Sequence, residues 1–147
     1  MVLQLIPQFP LETFMAYSVK PKPNWLFFIP SGFWVTLYPN IYHPKGVIPE
    51  QYPYIIVHEQ VHLKQQKDRL IKWLFKYIFN RKFRLTMEVE AYATQKVQTG
   101  IGDIDRIAKS LCSIDYFWAS FSSSKTKELI LAEISKQTNL NMIGDSK

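Results

Sequence analysis

The alternation of apolar and polar positions divides the chain into a β-rich N-terminal part and a longer helical part. Short apolar runs interrupted by prolines, as in Trp25–Ile29 and Phe33–Tyr38, are typical of short strands, and Ile41–His43 could form a return strand. From Pro53 onward, apolar residues recur at helical spacing. The pattern predicts an α+β domain, in which a small short-stranded sheet precedes a series of helices.

Five helices are expected after the sheet, because each segment is free of internal breakers and rich in helix-forming or periodically spaced apolar residues. They cover Pro53–Arg69, Leu70–Phe79, Phe83–Gln98, Asp103–Leu111 and Lys127–Lys136. Gly100 and Gly102 are expected to end the third helix, and the serines at 122–124 can cap the last one.

The two ends of the chain are predicted to lie outside the core. Residues 1–24 form an N-terminal extension, with a short helix over Leu11–Val19 before an extended Pro21–Pro23 linker. Asn139–Lys147 is expected to be a frayed tail. No internal repeat or second boundary divides the 147 residues, so we treat the chain as one domain.

Composition indicates a folded domain without disulfides. Hydrophobic residues make up 47% and charged residues 20% of the chain, as in globular proteins. The single cysteine, Cys112, excludes an internal disulfide and a cysteine-rich zinc site, and we expect a buried, inert thiol. The first ten residues lack the basic region of a secretory signal, and no apolar run approaches the roughly 20 residues that span a bilayer. We therefore expect a cytoplasmic or otherwise soluble protein.

The net charge of +6 draws attention to the basic stretch Arg69–Arg84. Within it, Arg69, Lys72 and Lys76 fall on one helical face, and a basic aromatic-rich helix can lie on a membrane surface. We favour a core helix with a solvated lysine stripe, which leaves weak membrane-surface contact as the alternative. No nucleic-acid motif is present, so no specific nucleic acid is expected as a partner.

The most informative stretch is His58-Glu59-Gln60-Val61-His62, a His-Glu-x-x-His pattern inside an apolar run. Residues four apart share a helix face, so His58 and His62 can direct two ring nitrogens at one Zn²⁺ ion. Glu59 can then act as general base toward a zinc-activated water. The competing interpretation is a buried helix that carries two histidines by chance. The remaining histidine, His43, is expected to be solvated in a loop or at a strand end.

A zinc ion held by two histidines needs at least one more protein ligand. Glu88 and Glu90 are the candidates, and Glu88 follows His62 by 26 positions, enough for a second helix to return beside the first. Residues two apart on a helix point about 200° apart, so only one of the two glutamates faces the ion. Spacing alone leaves this choice open.

With these segments the sequence resembles the gluzincin clan of zinc metallopeptidases, and above all the minimal gluzincin-like domains of bacterial and viral genomes. Their pattern is His-Glu-x-x-His, a Gln-rich helix end and a second helix with Glu-x-x-Ala. The resemblance covers roughly residues 33–95, through His58–His62, Gln65-Gln66 and Glu88–Ala91. It implies that Glu88 is the third ligand. Tyr92 stands where many relatives carry an Asp that orients a zinc histidine.

The resemblance further implies a zincin-like fold, in which an edge strand lines the cleft and pairs with an extended polypeptide substrate. Phe33–Tyr38 or Ile41–His43 could be that strand. The expected activity is zinc-dependent peptide-bond hydrolysis, and the alternative is a catalytically silent metal-binding structural or interaction protein on the same scaffold. Glu90 and Tyr92 could support the ligands, and Tyr92, Tyr54, Tyr116 or His43 could stabilise an oxyanion.

Overall fold

The computed structural model describes residues 17–116 and 118–144, and within them the chain forms three strands followed by five α-helices. The strands are β1 (Ser18–Pro21), β2 (Val35–Leu37) and β3 (Asn40–His43). The helices are α1 (Pro53–Gln66), α2 (Leu70–Phe79), α3 (Arg81–Thr99), α4 (Ile104–Ser110) and α5 (Ser123–Gly144). The predicted α+β class, with a small sheet ahead of the helices, is confirmed.

The sheet has the order β1-β3-β2. Strands β2 and β3 form an antiparallel hairpin, with Val35 opposite Tyr42. The predicted pair of strands is therefore confirmed, and β2 lies at an edge of the sheet. Strand β1 pairs in parallel with β3, which places Val19 opposite the fully buried Ile41.

Part of the predicted N-terminal extension thus belongs to the sheet. The sequence predicts a helix over Leu11–Val19, but residues 18 and 19 lie in β1, and residues 11–16 lie outside the described residues. A proline disfavours helical backbone in the residue before it, so Pro21 keeps Lys20 extended. The same restriction makes the segment available for pairing with β3.

The predicted strand over Trp25–Ile29 is wrong. The segment begins with a 3₁₀ turn at Asn24–Leu26, and the Ile29 amide donates to the Leu26 carbonyl at 3.0 Å. Only Leu26 is buried, and its neighbours Trp25, Phe27 and Phe28 are exposed. The apolar run suggested a strand, but local turn hydrogen bonds organise it instead.

The side chain of Lys22 holds the two ends of this loop together through hydrogen bonds. Its Nζ donates to the Pro30 carbonyl at 2.6 Å and to the Phe33 carbonyl at 3.2 Å. Burial lowers the pKa of Lys22. The two carbonyl contacts partly replace the water that the ammonium gives up, and they fix the approach to β2.

Helices α1 and α3 pack side by side, and α1 also packs against β2 and β3. Helix α1 begins at Pro53, where the missing N–H of proline costs no hydrogen bond. It ends at Gln66, three residues before the predicted end. Asp68 has a left-handed φ of 62°, which starts a new direction for α2.

Caps set the limits of the next two helices. The Asn80 side chain accepts from the Phe83 amide at 3.0 Å where α3 begins. Gly100 ends α3 with a φ of 70°, and its amide donates to the Lys96 carbonyl. A side chain would be strained at that φ, so glycine suits the position. The Asp103 carboxylate caps α4.

Helices α3, α4 and α5 enclose a separate apolar core, made of Val89, Ile107, Ala108, Leu111 and Ile130. The predicted serine cap of α5 is confirmed, since Ser122 Oγ accepts from the Lys125 amide at 3.4 Å. The predicted tail over Asn139–Lys147 is wrong for residues 139–144, because α5 continues to Gly144, and residues 145–147 lie outside the described residues. Neither proline nor glycine interrupts the helix before that residue. Cys112, expected to be buried, is partly exposed.

Helix α2 is not the core helix that we favoured from the sequence. Trp73 is its buried residue, and Leu70, Leu74 and Tyr77 are partly exposed. Four large apolar residues face outward: Ile71, Phe75, Ile78 and Phe79. None of the described helices combines the length and the apolar character that crossing a membrane requires.

Candidate metal centre

Helices α1 and α3 bring His58, His62 and Glu88 together. Nε2 of His58 and Nε2 of His62 are 3.2 Å apart, because the two residues lie one helical turn apart on α1. Glu88 on α3 places Oε2 at 3.4 Å from His58 Nε2 and Oε1 at 3.3 Å from His62 Nε2. All three side chains are buried.

These separations match the edge of a coordination tetrahedron. Ligand atoms around a tetrahedral ion with bonds of about 2.0–2.1 Å lie about 3.3–3.4 Å from one another. The two ring nitrogens are 3.2 Å apart, and each has a different Glu88 oxygen at a similar distance, Oε1 for His62 at 3.3 Å and Oε2 for His58 at 3.4 Å. The buried His58–His62–Glu88 group could therefore hold a metal ion.

The hydrogen bonding of Glu88 also fits a cation. Tyr77 OH donates to Oε1 at 2.5 Å, whereas Oε2 has no hydrogen-bond partner among the described residues. A buried polar atom without such a partner is uncommon, because the desolvation cost is not offset. A cation between the carboxylate and the two imidazoles would satisfy it.

The protonation of His62 and that of Glu88 depend on each other. Burial by itself lowers the pKa of His62, but the Glu88 carboxylate, together with Glu59 and the hydrogen bond to Gln65, more than offsets burial and raises that pKa to about 9. Burial by itself raises the pKa of Glu88, whereas His62 and His58 hold it well below its usual range. Without metal, a proton on His62 therefore compensates the buried carboxylate.

We expect the metal-free protein to lose stability as the pH rises from about 6.5 to about 9. The pKa of His62 is raised from 6.5 to about 9 by folding, so its contribution is complete below the lower value and lost through the upper one. Glu88, whose pKa is lowered, contributes above its unfolded value of about 4.5 and loses that contribution in acid. Urea midpoints of chelator-treated protein across this range measure the effect. His62→Gln should flatten the alkaline slope, and a wild-type midpoint that stays constant would contradict the expectation.

Gln65 connects His62 to the second candidate glutamate. His62 Nδ1 and Gln65 Oε1 are 2.9 Å apart, so the imidazole donates to the amide oxygen. Gln65 Nε2 in turn donates to Glu90 Oε2 at 2.9 Å. This arrangement keeps the Nε2 atom of His62 directed at Glu88. Glu90 thus contacts the centre through Gln65. Of the two glutamates that the spacing could not distinguish, Glu88 is the one that lies beside the histidines.

Tyr92 makes no hydrogen bond to His58 that would orient its ring. Its ring lies against His58, with 4.3 Å between the ring centroids, and its hydroxyl bonds to that of Tyr116. His58 Nδ1 has no hydrogen-bond partner in the described part of the chain. Burial raises the pKa of both tyrosines, so they remain protonated at neutral pH.

Glu59 follows His58 on α1 and is 8% exposed. Thr36 Oγ1, on the edge strand β2, donates to Glu59 Oε2 at 2.5 Å. The contact holds Oε2 of Glu59 in place, and the Thr36 hydroxyl does not bond to Oε1. It joins the sheet to the helix that carries the motif.

Gln66, the last residue of α1, covers part of the same strand. Its Nε2 donates to the Thr36 carbonyl and its Oε1 accepts from the Tyr38 amide, both at 2.9 Å. These backbone groups point away from β3, and they are the ones that an added strand would use. The expected pairing of a substrate with this edge is therefore blocked at residues 36 and 38.

His43 and Tyr54 are not part of the cluster. His43 Nδ1 donates to the Pro44 carbonyl at 2.9 Å, and the Tyr54 ring contacts that of Tyr52. Conversely, no sequence pattern indicated Thr36 or Tyr77, whose contacts with Glu59 and Glu88 depend on packing between distant segments. Gln65 carried a weak signal, because it lies one turn from His62 and belongs to the polar end of α1.

The chain matches no protein-family model, and comparisons with curated proteins and with solved structures gave no match either.

Proposed function

We propose that the protein is a zinc-dependent peptidase with a gluzincin-like catalytic centre. The observation that carries the proposal is the buried triangle of two imidazole nitrogens and one carboxylate, with a glutamate next to the first histidine on the same helix. The placement of Glu88 on the helix that packs beside α1 agrees with the order of elements in such domains.

Zinc is the metal that this donor set favours. Two neutral imidazoles and one carboxylate are the ligands of many catalytic zinc sites, which keep a fourth position for water or substrate. Hard oxygen-seeking ions such as Mg²⁺ and Ca²⁺ prefer all-oxygen sites. Of the chain's own groups, His58, His62 and Glu88 would hold the ion.

Bound zinc would supply Lewis acidity and lower the pKa of a water molecule. The chain's contribution to proton transfer would come from Glu59, which would accept a proton from the attacking water and return it to the leaving amine. Thr36 would hold the carboxylate in place through its hydroxyl. Tyr92, whose ring lies against His58, and Tyr116, whose hydroxyl bonds to that of Tyr92, would be the phenols able to donate to a developing oxyanion.

A specific observation favours the second candidate, a metal-binding protein without turnover. Glu59 and the three ligands are each less than a tenth exposed. In addition, Gln66 already occupies two backbone groups of the strand that a substrate would use. Hydrolysis would then require a movement of α1 or β2 that admits the substrate.

The test combines metal analysis with an activity assay. We expect about one zinc per chain after purification, slow hydrolysis of an unstructured substrate such as casein, loss of activity with a chelator and recovery with added zinc. One bound zinc with no hydrolysis of casein or of a peptide library would favour the silent metal-binding protein. Failure to bind zinc would exclude the peptidase, and failure to bind any divalent transition metal would exclude both candidates.

A further inference from the structure

We propose that helix α2 docks the protein on an anionic membrane surface. The docking face consists of an outward stripe, formed by Ile71, Phe75, Ile78 and Phe79, together with the basic residues beside it. The outward stripe lies apart from the metal centre, and the inference does not depend on the proposed catalysis.

The outward stripe is apolar where a helix on a folded domain is ordinarily polar. At 100° per residue its four members fall within an arc of about 100°, roughly opposite the buried Trp73. Their exposed fractions are 79% for Ile71, 65% for Phe75, 56% for Ile78 and 72% for Phe79. Contiguous exposed apolar side chains of this size mark an interaction surface.

The positive charge of the molecule is concentrated around the stripe. Residues 64–84 contain eight basic residues and one acidic residue, whereas the rest of the chain contains ten basic and eleven acidic residues. Seven of the eight side chains are exposed, and Arg84 is the buried one. The segment therefore carries the entire net charge of the protein. Lys72 and Lys76 lie on the helix directly beside the stripe.

A cavity of about 370 Å³ opens at the lysine side of α2. Four basic residues line it: Lys64, Arg69, Lys72 and Lys76. Its acidic residue, Glu90, is held by Gln65. The excess of positive charge suits the phosphate of a lipid headgroup. The stripe would meet the acyl chains of the same lipids.

An anionic bilayer fits this face better than two other occupants. Nucleic acid would satisfy the lysines, but Ile71 and Ile78 are aliphatic and cannot stack on bases. A second copy of the chain would bring two strongly basic faces together, which is electrostatically unfavourable. A membrane interface accepts the apolar stripe and attracts the flanking charge at the same time.

The test is sedimentation with vesicles of equal parts phosphatidylglycerol and phosphatidylcholine, against vesicles of phosphatidylcholine alone. We expect binding to the anionic vesicles that weakens in high salt. Each lysine near such a surface contributes about fivefold, so Lys72→Gln with Lys76→Gln should lower the partition coefficient about 25-fold. Phe75→Ser with Phe79→Ser should lower it at least about tenfold, since two exposed rings lose their burial in lipid.

Matched variants distinguish this face from general stickiness. Lys109→Gln with Lys125→Gln removes the same charge from exposed positions elsewhere, and Phe27→Ser with Phe28→Ser removes two other exposed rings. Both should bind within about twofold of the unmodified chain. Equal losses in test and control pairs, or equal binding to both vesicle types, would overturn the proposal. So would tighter binding to duplex DNA, or a dimer that only Phe75→Ser with Phe79→Ser dissociates.

Discussion

Replacing Glu59 by glutamine is expected to leave zinc and fold intact while lowering peptide hydrolysis by about 10²–10⁴-fold. Glutamine has nearly the shape of glutamate, and its amide oxygen can still accept from Thr36 Oγ1, which lies 2.5 Å from Glu59 Oε2. The side chain is not needed as a ligand, because the cluster forms from His58, His62 and Glu88. What glutamine cannot do at neutral pH is accept a proton.

The measurement pairs zinc content with initial rates of casein hydrolysis on the same samples. Glu50→Gln is the matched control, since Glu50 is exposed on the turn before α1 and the variant makes the same change of charge. It should retain full activity. Equal rates in Glu59→Gln and the unmodified chain would remove Glu59 from the mechanism.

Replacing Glu88 by alanine is expected to abolish stable metal binding, whereas Glu90→Ala should weaken it by about 10–100-fold or less. The first change removes a ligand from the buried triangle and leaves the Tyr77 hydroxyl without its acceptor. The second removes only the support that reaches His62 through Gln65. His58→Ala should lose metal and activity together, because a single imidazole and one carboxylate remain.

Zinc titration monitored with a competing chelator separates these outcomes. Glu88→Gln should behave as Glu88→Ala does while keeping the volume of the side chain, so loss of metal cannot be attributed to a collapsed core. Metal that survives Glu88→Ala but is lost in Glu90→Ala would reverse the assignment of the two glutamates.

Contacts between residues close together in the sequence could be predicted at this centre, and contacts between distant segments could not. The spacing of His58 and His62 is a local property of one helix, so the sequence predicted their shared face. Whether Glu88 or Glu90 faces the histidines depends on the register of two packed helices, and the spacing in the sequence could not decide between them. Thr36 and Tyr77 meet the centre through contacts between segments 11 to 23 residues apart, and no local pattern predicts such contacts.

The two clearest errors in the fold have a common physical origin. Trp25–Ile29 and Leu70–Phe79 are strongly apolar, and we interpreted that as burial. Three of the five side chains of Trp25–Ile29 are exposed, and so are four of the eight large apolar side chains of Leu70–Phe79. Periodicity identifies the helix at Leu70–Phe79 correctly, but it cannot show which apolar face packs on the domain and which remains outside.

Gln66 has a consequence for self-association that goes beyond substrate access. A bare sheet edge can pair with the edge of another molecule and start aggregation. Here the side-chain amide of Gln66 takes the place of that partner at Thr36 and Tyr38. Gln66 lies one turn from His62 on the same helix, so a displacement of α1 that uncovered the strand would also move this proposed metal ligand. A bound metal should therefore hold α1 over the edge strand. Removal of the metal by a chelator should favour edge-to-edge assembly of the chain.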